Sequence, residues 1–151
     1  MPIRPITKEE RLQSAQLLTI ESGDLTISAA DDAIHCDYTL QIGAEGTDGP
    51  AISITDCDEG LEAAALHVAS GDIRIRASDD CLNAANSDLS GFDFSMDISG
   101  GTISAYTTDG DGFDSNGSMT ISGGTPPEKP DGGTPPERPD NASEPPEPGN
   151  L

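Results

Sequence analysis

The chain has 151 residues, 28 acidic against 7 basic, with a formal charge of −21. That length allows one domain with a real core; the field excludes nucleic acid and anionic membrane surfaces as natural partners and favours cations or cation-bridged ligands. Aromatic residues are only 3% and tryptophan is absent, so platforms for stacking sugars or bases are scarce, with Tyr38 and Tyr106 the only tyrosines.

Residues 1–21 are expected to form an N-terminal segment or cap. The stretch MPIRPITKEERLQSAQLL has charges where a secretory leader needs an apolar run of about 7 to 15 residues. No stretch of the chain is apolar enough to cross a bilayer. The sequence as it stands therefore carries no export signal, which suits a cytoplasmic protein or a mature or incomplete piece.

Residues 22–124 are expected to form the folded domain, and they repeat themselves. DDAIHC at 31–36 is followed by DEGLEA at 58–63, DDCLNA at 79–84 and GDGFDS at 110–115. Each copy runs acid, small residue, large apolar residue, polar residue. Before each comes an alternating strand, carrying Leu25 and Ile27, Ile52 and Ile54, Ile73 and Ile75, then Ile103 and Ala105. After each comes another, carrying Leu40 and Ile42, Leu66 and Val68, Met96 and Ile98, then Met119 and Ile121. The equivalent acids 32, 59, 80 and 111 lie 27, 21 and 31 residues apart. Three short strands per unit, stacked copy on copy about 4.8 Å apart, predict an all-β parallel β-helix of about four coils. Ile34, Leu61, Leu82 and Phe113 are its expected core column. An antiparallel sandwich is the rival, but it does not call for the same hexamer in every third strand.

Stacking also aligns the acids. Between residues 22 and 122 there are 19 acidic residues against two basic ones, Arg74 and Arg76. Asp32, Glu59, Asp80 and Asp111 form one column; His35, Glu62, Asn83 and Asp114 form another, facing outward. Carboxylates about 5 Å apart repel by roughly 3 kcal/mol per pair at an effective dielectric near 20. Calcium is the expected counter-ion, because carboxylates, Asn83 and turn carbonyls supply hard oxygen ligands while the sulfur and imidazole set for zinc is lacking. The space between Glu59, Glu62, Asp80 and Asn83, where two complete coils meet, is the first place to expect it. His35 alone reads as a surface or turn residue. Residues 109–117, DGDGFDSNG, do not make an EF-hand, since Phe113 and Thr120 fall where oxygen ligands belong. Cys36, Cys57 and Cys81 match no metal-binding spacing and read as ordinary small residues.

The final segment, 125–151, carries the clustered prolines, with GGTPPEKPD at 123–131 repeated as GGTPPERPD at 132–140. It reads as a disordered, Pro-rich tail or extended linker.

The runs SGDLTISAADDAIHCDYTLQI, ISITDCDEGLEA, SGDIRIRASDDCLNAAN and SGGTISAYTTDGDGFDSNGSMTISGG, taken in this order, resemble the carbohydrate-binding β-helix proteins of anaerobic cellulolytic bacteria. The resemblance covers about residues 20–124. It implies a right-handed parallel β-helix, related in structure to pectate lyases, that binds calcium and associates with cellulose and polygalacturonic acid outside the cell or at its surface. The chain departs from that pattern in passing at Gly123 into proline-rich sequence and in lacking an export signal.

Three functions then compete. A non-catalytic binder would hold calcium on the carboxylate ladder and bridge it to galacturonate, with Arg74, Arg76 and Tyr106 as candidate sugar contacts. A polysaccharide lyase would need a base for the C5 proton; no lysine lies between residues 9 and 128, leaving only Arg74 and Arg76. A structural or adhesive module would use calcium only to stiffen its coils. Because the acids recur in every coil rather than gathering at one irregular site, the binder is the expectation, acting as a monomer with no catalytic residue, no nucleic acid and no membrane insertion.

Overall fold

The structure, a computed structural model, describes residues 12–14 and 16–125. The Pro-rich tail and the start of the N-terminal segment lie outside the described residues. What is described is all-β, with no helix.

Twelve strands follow the chain: β1 (Leu12–Ser14), β2 (Leu17–Ile20), β3 (Asp24–Ser28), β4 (Ile34–Ile42), β5 (Ala51–Asp56), β6 (Leu61–Val68), β7 (Asp72–Ala77), β8 (Leu82–Ala84), β9 (Ser95–Ile98), β10 (Thr102–Thr107), β11 (Phe113–Ser115) and β12 (Ser118–Ile121). All their pairings are parallel, and each strand pairs with its copy one coil away. One sheet runs β3-β5-β7-β10 and the other carries the ladders β1-β4-β6-β8-β11 and β2-β4-β6-β9-β12. The molecule is thus a parallel β-solenoid of about four coils. Strands β1 and β2, from the segment expected to cap it, add a partial coil by pairing with β4.

The register reproduces the repeat residue by residue. Ile34 pairs with Leu61, Leu61 with Leu82, and Leu82 with Phe113. A second column runs Leu18, Leu40, Leu66, Met96, Met119, and a third runs Leu25, Ile52, Ile73, Ile103. Their members in the middle coils are almost wholly buried. Each buried side chain contributes about 1.5–3 kcal/mol of transfer free energy. Phe113, Ile103 and Ala105 in the last coil are only partly covered, whereas their counterparts one coil earlier are buried.

Three strands per coil hold for the last two coils; in the first two, the second and third strands run together as β4 and β6. The sequence supplies no glycine or proline to break them, so the bend is taken up by a register shift between Cys36 and Thr39. The third coil instead inserts residues 85–94 between β8 and β9. Gly60 stands at a tight turn, where an added Cβ would lie 2.3 Å from the carbonyl oxygen of Cys81 in the next coil. The cysteines are free and buried, and burial pushes the Cys57 thiol up to about 12, so the three serve as small core residues.

Because Leu61 has a copy above and below it and cannot be replaced by collapse of the stack, Leu61→Ala should cost about 2–5 kcal/mol in urea unfolding, while Tyr106→Ala on the exposed sheet face should stay within about 0.5 kcal/mol. Equal midpoints for the two variants would contradict the stacked core.

Candidate functional site

The turn that precedes each apolar column residue is held to the next coil by main-chain hydrogen bonds, from Ala33 N to Glu59 O, Gly60 N to Asp80 O and Cys81 N to Asp111 O, at 2.9, 3.0 and 3.0 Å. These bonds bring Asp32, Glu59, Asp80 and Asp111 to equivalent turn positions. Two residues beyond the Ala33, Gly60, Cys81 and Gly112 positions, the ladder pairs His35 with Glu62, Glu62 with Asn83 and Asn83 with Asp114. Both predicted columns are therefore present in register.

They are not uniformly solvated. The second column points away from the core, as expected, yet the His35 and Glu62 side chains are only 16% and 17% exposed and Asn83 is 7% exposed. Here the two columns converge on a notch centred on His35. Its Nδ1 lies 2.7 Å from Glu62 Oε1 and 3.2 Å from Asp32 Oδ2, and its Nε2 lies 2.9 Å from Asp37 Oδ1. Asn83 Nδ2 donates to Glu59 Oε1 at 3.2 Å. Three buried side-chain atoms among the described residues lack a protein hydrogen-bond partner, and all three lie here: His35 Nδ1, Glu59 Oε2 and Asn83 Oδ1.

The electrostatics follow from that crowding. Asp32, then Glu62, hold the imidazole in its charged form against the opposing effect of burial, raising His35 to about 11. Glu59 is raised to about 8, first by burial and then by Glu62 beside it. Within the notch the His35 ring supplies a positive counter-charge to Asp32 and Glu62.

The remaining predicted ligands lie apart from the notch. Asp80 accepts a hydrogen bond from Asp111 N at 2.7 Å through Oδ1, tying two coils at the turn. Around them is an exposed group of acids that the sequence reading did not single out. Asp79 is raised above the usual carboxylate range, chiefly by Asp80, with Asp58, Asp109 and Asp111 adding to it. Asp58 is held by Ser78, whose hydroxyl donates to its Oδ1 at 2.7 Å. Asp114 stands at the end of its column, half-buried opposite Asn83.

The predicted sugar contacts occupy a different surface, the flat outer face of the β3-β5-β7-β10 sheet. Tyr106 pairs in register with Arg76, and Ser104 and Ser53 flank Arg74 from either side. The Arg76 guanidinium lies 4.6 Å from the centre of the Tyr106 ring, a cation–π contact. Arg74 reaches Asp72 Oδ2 at 3.4 Å and remains 72% exposed. Together with Ser53, Thr55 and Ser104 these residues line a shallow depression across three coils.

Two features were not singled out from sequence. The spacing of acids three before and two after His35 in DAIHCD would have signalled a shielded histidine. The aromatic group of Tyr38, Phe92 and Phe94, with ring centres 6.1 and 5.5 Å apart, is assembled by the insertion 85–94, which Asn86 anchors by donating to Asp37 O at 2.9 Å. Residues 54 and 56 positions apart share no local pattern, so no periodicity reveals it.

Among the raised groups, the two in the notch, Glu59 and His35, dominate the pH dependence across neutrality. Glu59 goes from 4.5 to about 8 on folding and His35 from 6.5 to about 11. In both cases the folded state binds the proton more tightly. The stabilisation is complete below the unfolded value and is lost as pH rises through the folded one. With chelator present, the melting temperature should therefore fall steadily from about pH 5 to pH 9, and Glu59→Gln should flatten the part below about pH 8. A melting temperature that climbs over this range would contradict the assignment.

Compared with known proteins, the chain matches no family model, no curated protein and no solved structure.

Proposed function

We propose that the protein is a non-catalytic, calcium-dependent carbohydrate-binding module for an acidic polysaccharide of the polygalacturonate type. The observation that carries this reading is the surface made by Arg74, Arg76 and Tyr106. In a chain of net charge −21, the two arginines of the coil region share one flat sheet face, with a tyrosine ring beside them. A guanidinium matches a uronate carboxylate with two parallel hydrogen bonds, and a tyrosine ring packs on the apolar face of a sugar. The shallow, open shape of the depression suits an extended chain more than a small molecule.

Calcium enters because the rest of the molecule repels a polyanion. The crowded acids Asp58, Asp79, Asp80, Asp109 and Asp111 offer hard oxygen ligands at an exposed turn, and the raised pKa of Asp79 reports the repulsion that a divalent cation would relieve. The same ion can reach glycan carboxylates.

Lyase chemistry is less well supported. Arg76 is engaged with Tyr106 and Arg74 with Asp72, and a guanidinium so placed is a poor proton acceptor. One specific observation favours a second ligand: the Tyr38, Phe92 and Phe94 group is an apolar ledge that a neutral β-glucan such as cellulose could use.

Retention on immobilised polygalacturonate is the test. The protein should be held in calcium and released by chelator, and the double variant R74A/R76A should bind about 5- to 30-fold more weakly, as expected for the loss of about 1–2 kcal/mol in two exposed ion pairs. Tyr38→Ala should leave polygalacturonate binding unchanged and lower retention on cellulose. No retention of the wild type in calcium would sink the binder reading and leave a structural role for the acidic columns.

A further inference from the structure

We propose that Asp32, His35 and Glu62 form a site for a borderline divalent cation of the zinc type, distinct from any calcium held at the exposed turn, with the carbonyl oxygen of the buried Asn83 side chain beside it. Two independent observations carry it. The first is the donor set: one imidazole nitrogen and two carboxylate oxygens, from two adjacent coils, all within 4.8 Å of one another and half-sheltered from water. Calcium takes six to eight oxygens and has little use for nitrogen, whereas zinc is satisfied by four donors and takes imidazole and carboxylate readily. The second is the gathering of orphaned polar atoms. His35 Nδ1, Glu59 Oε2 and Asn83 Oδ1 are the buried side-chain atoms without a hydrogen-bond partner among the described residues; the first is ion-paired with Asp32 and Glu62, and the other two belong to side chains beside Glu62. Asn83 is 7% exposed and already gives its Nδ2 to Glu59, so its carbonyl oxygen is left to accept something else.

The geometry is close to what such an ion requires. Donors around a tetrahedral zinc, each at about 2.0–2.2 Å, stand about 3.3 Å from one another. His35 Nδ1 and Asp32 Oδ2 are 3.2 Å apart already; Nδ1 and Glu62 Oε1, at 2.7 Å, need only a small rotation of Glu62. Asp37 at Nε2 supplies the outer hydrogen bond that fixes the ring and turns Nδ1 toward the carboxylates, the arrangement that orients ligating histidines generally. The net charge of the bound site is reasonable: Asp32 and Glu62 supply two negative charges against two positive, with the ion replacing the proton on Nδ1, which is released to solvent. His67 provides an internal contrast. It lies 3.3 Å from Asp97 alone and is more open, so it lacks the second carboxylate.

With two histidines in the chain, ring NMR of the intact protein tests this directly. On titration with zinc at about pH 7.5, the His35 ring resonances should shift and saturate at one equivalent while those of His67 stay in place. Calcium at a hundredfold higher concentration should not reproduce the shift. Binding measured by competition with a chromophoric chelator should weaken about tenfold or more in His35→Gln and in Glu62→Gln, and be unchanged in Asp97→Asn. If the His35 variant fails to fold, the wild-type titration still decides, because it needs no substitution. Zinc that perturbs only His67, that perturbs neither ring, or that calcium displaces at equal concentration overturns the proposal. Polygalacturonate retention is read separately through R74A/R76A, so failure of the metal site and failure of the glycan reading remain distinguishable.

Discussion

Every strand of this molecule hydrogen-bonds to the strand one coil away, so each residue has its own counterparts as neighbours, about 4.8 Å above and below. That constraint is favourable for aliphatic side chains and unfavourable for charges. Ile34, Leu61 and Leu82 stack into a column with no solvent access. The same register lays Asp32 over Glu59, Glu59 over Asp80 and Asp80 over Asp111, where each like-charged pair repels. The core and the electrostatic problem are two results of one geometry.

The protein answers that problem differently in its two columns. In the column led by His35, charge changes from coil to coil, with imidazole beside carboxylate, carboxylate beside amide, and amide beside carboxylate again. Repulsion between neighbours is thereby avoided, and the imidazolium is stabilised well into the alkaline range. The turn column has no such alternation: beside it Asp79 is raised chiefly by Asp80, while within it Glu59 resists ionisation chiefly because it is buried, with Glu62 next to it. Asp80 lessens it locally by accepting the Asp111 amide hydrogen.

A solenoid also keeps its surfaces apart. The acids concentrate at the turn and along the ladder that follows it, while the β3-β5-β7-β10 face carries the arginine and tyrosine strip, and the 85–94 insertion builds an aromatic ledge next to Tyr38. On the proposed reading, a strip of positive charge held off from a strongly acidic edge would recognise an anionic chain only where the edge is neutralised, which would make cation and glycan parts of one binding problem.

The repeated hexamers and their flanking alternations were enough to determine the parallel solenoid, its coil number, the Ile34–Phe113 column and the register of both polar columns, because like-on-like stacking converts sequence repetition directly into spatial contact. The pairing of Tyr106 with Arg76 is legible for the same reason. What only the tertiary structure decided is how deeply each polar residue is sheltered and which of them meet across columns. His35 reads as a surface residue in isolation, yet the bend between Cys36 and Thr39 and the side chains of Asp32, Asp37 and Glu62 enclose it. The aromatic ledge depends on where a non-repeating insertion folds back, anchored by Asn86 on Asp37. Repetition specifies neighbours along the stack; sheltering depends on side chains that converge from different positions around the coil, and no period in the sequence encodes that convergence.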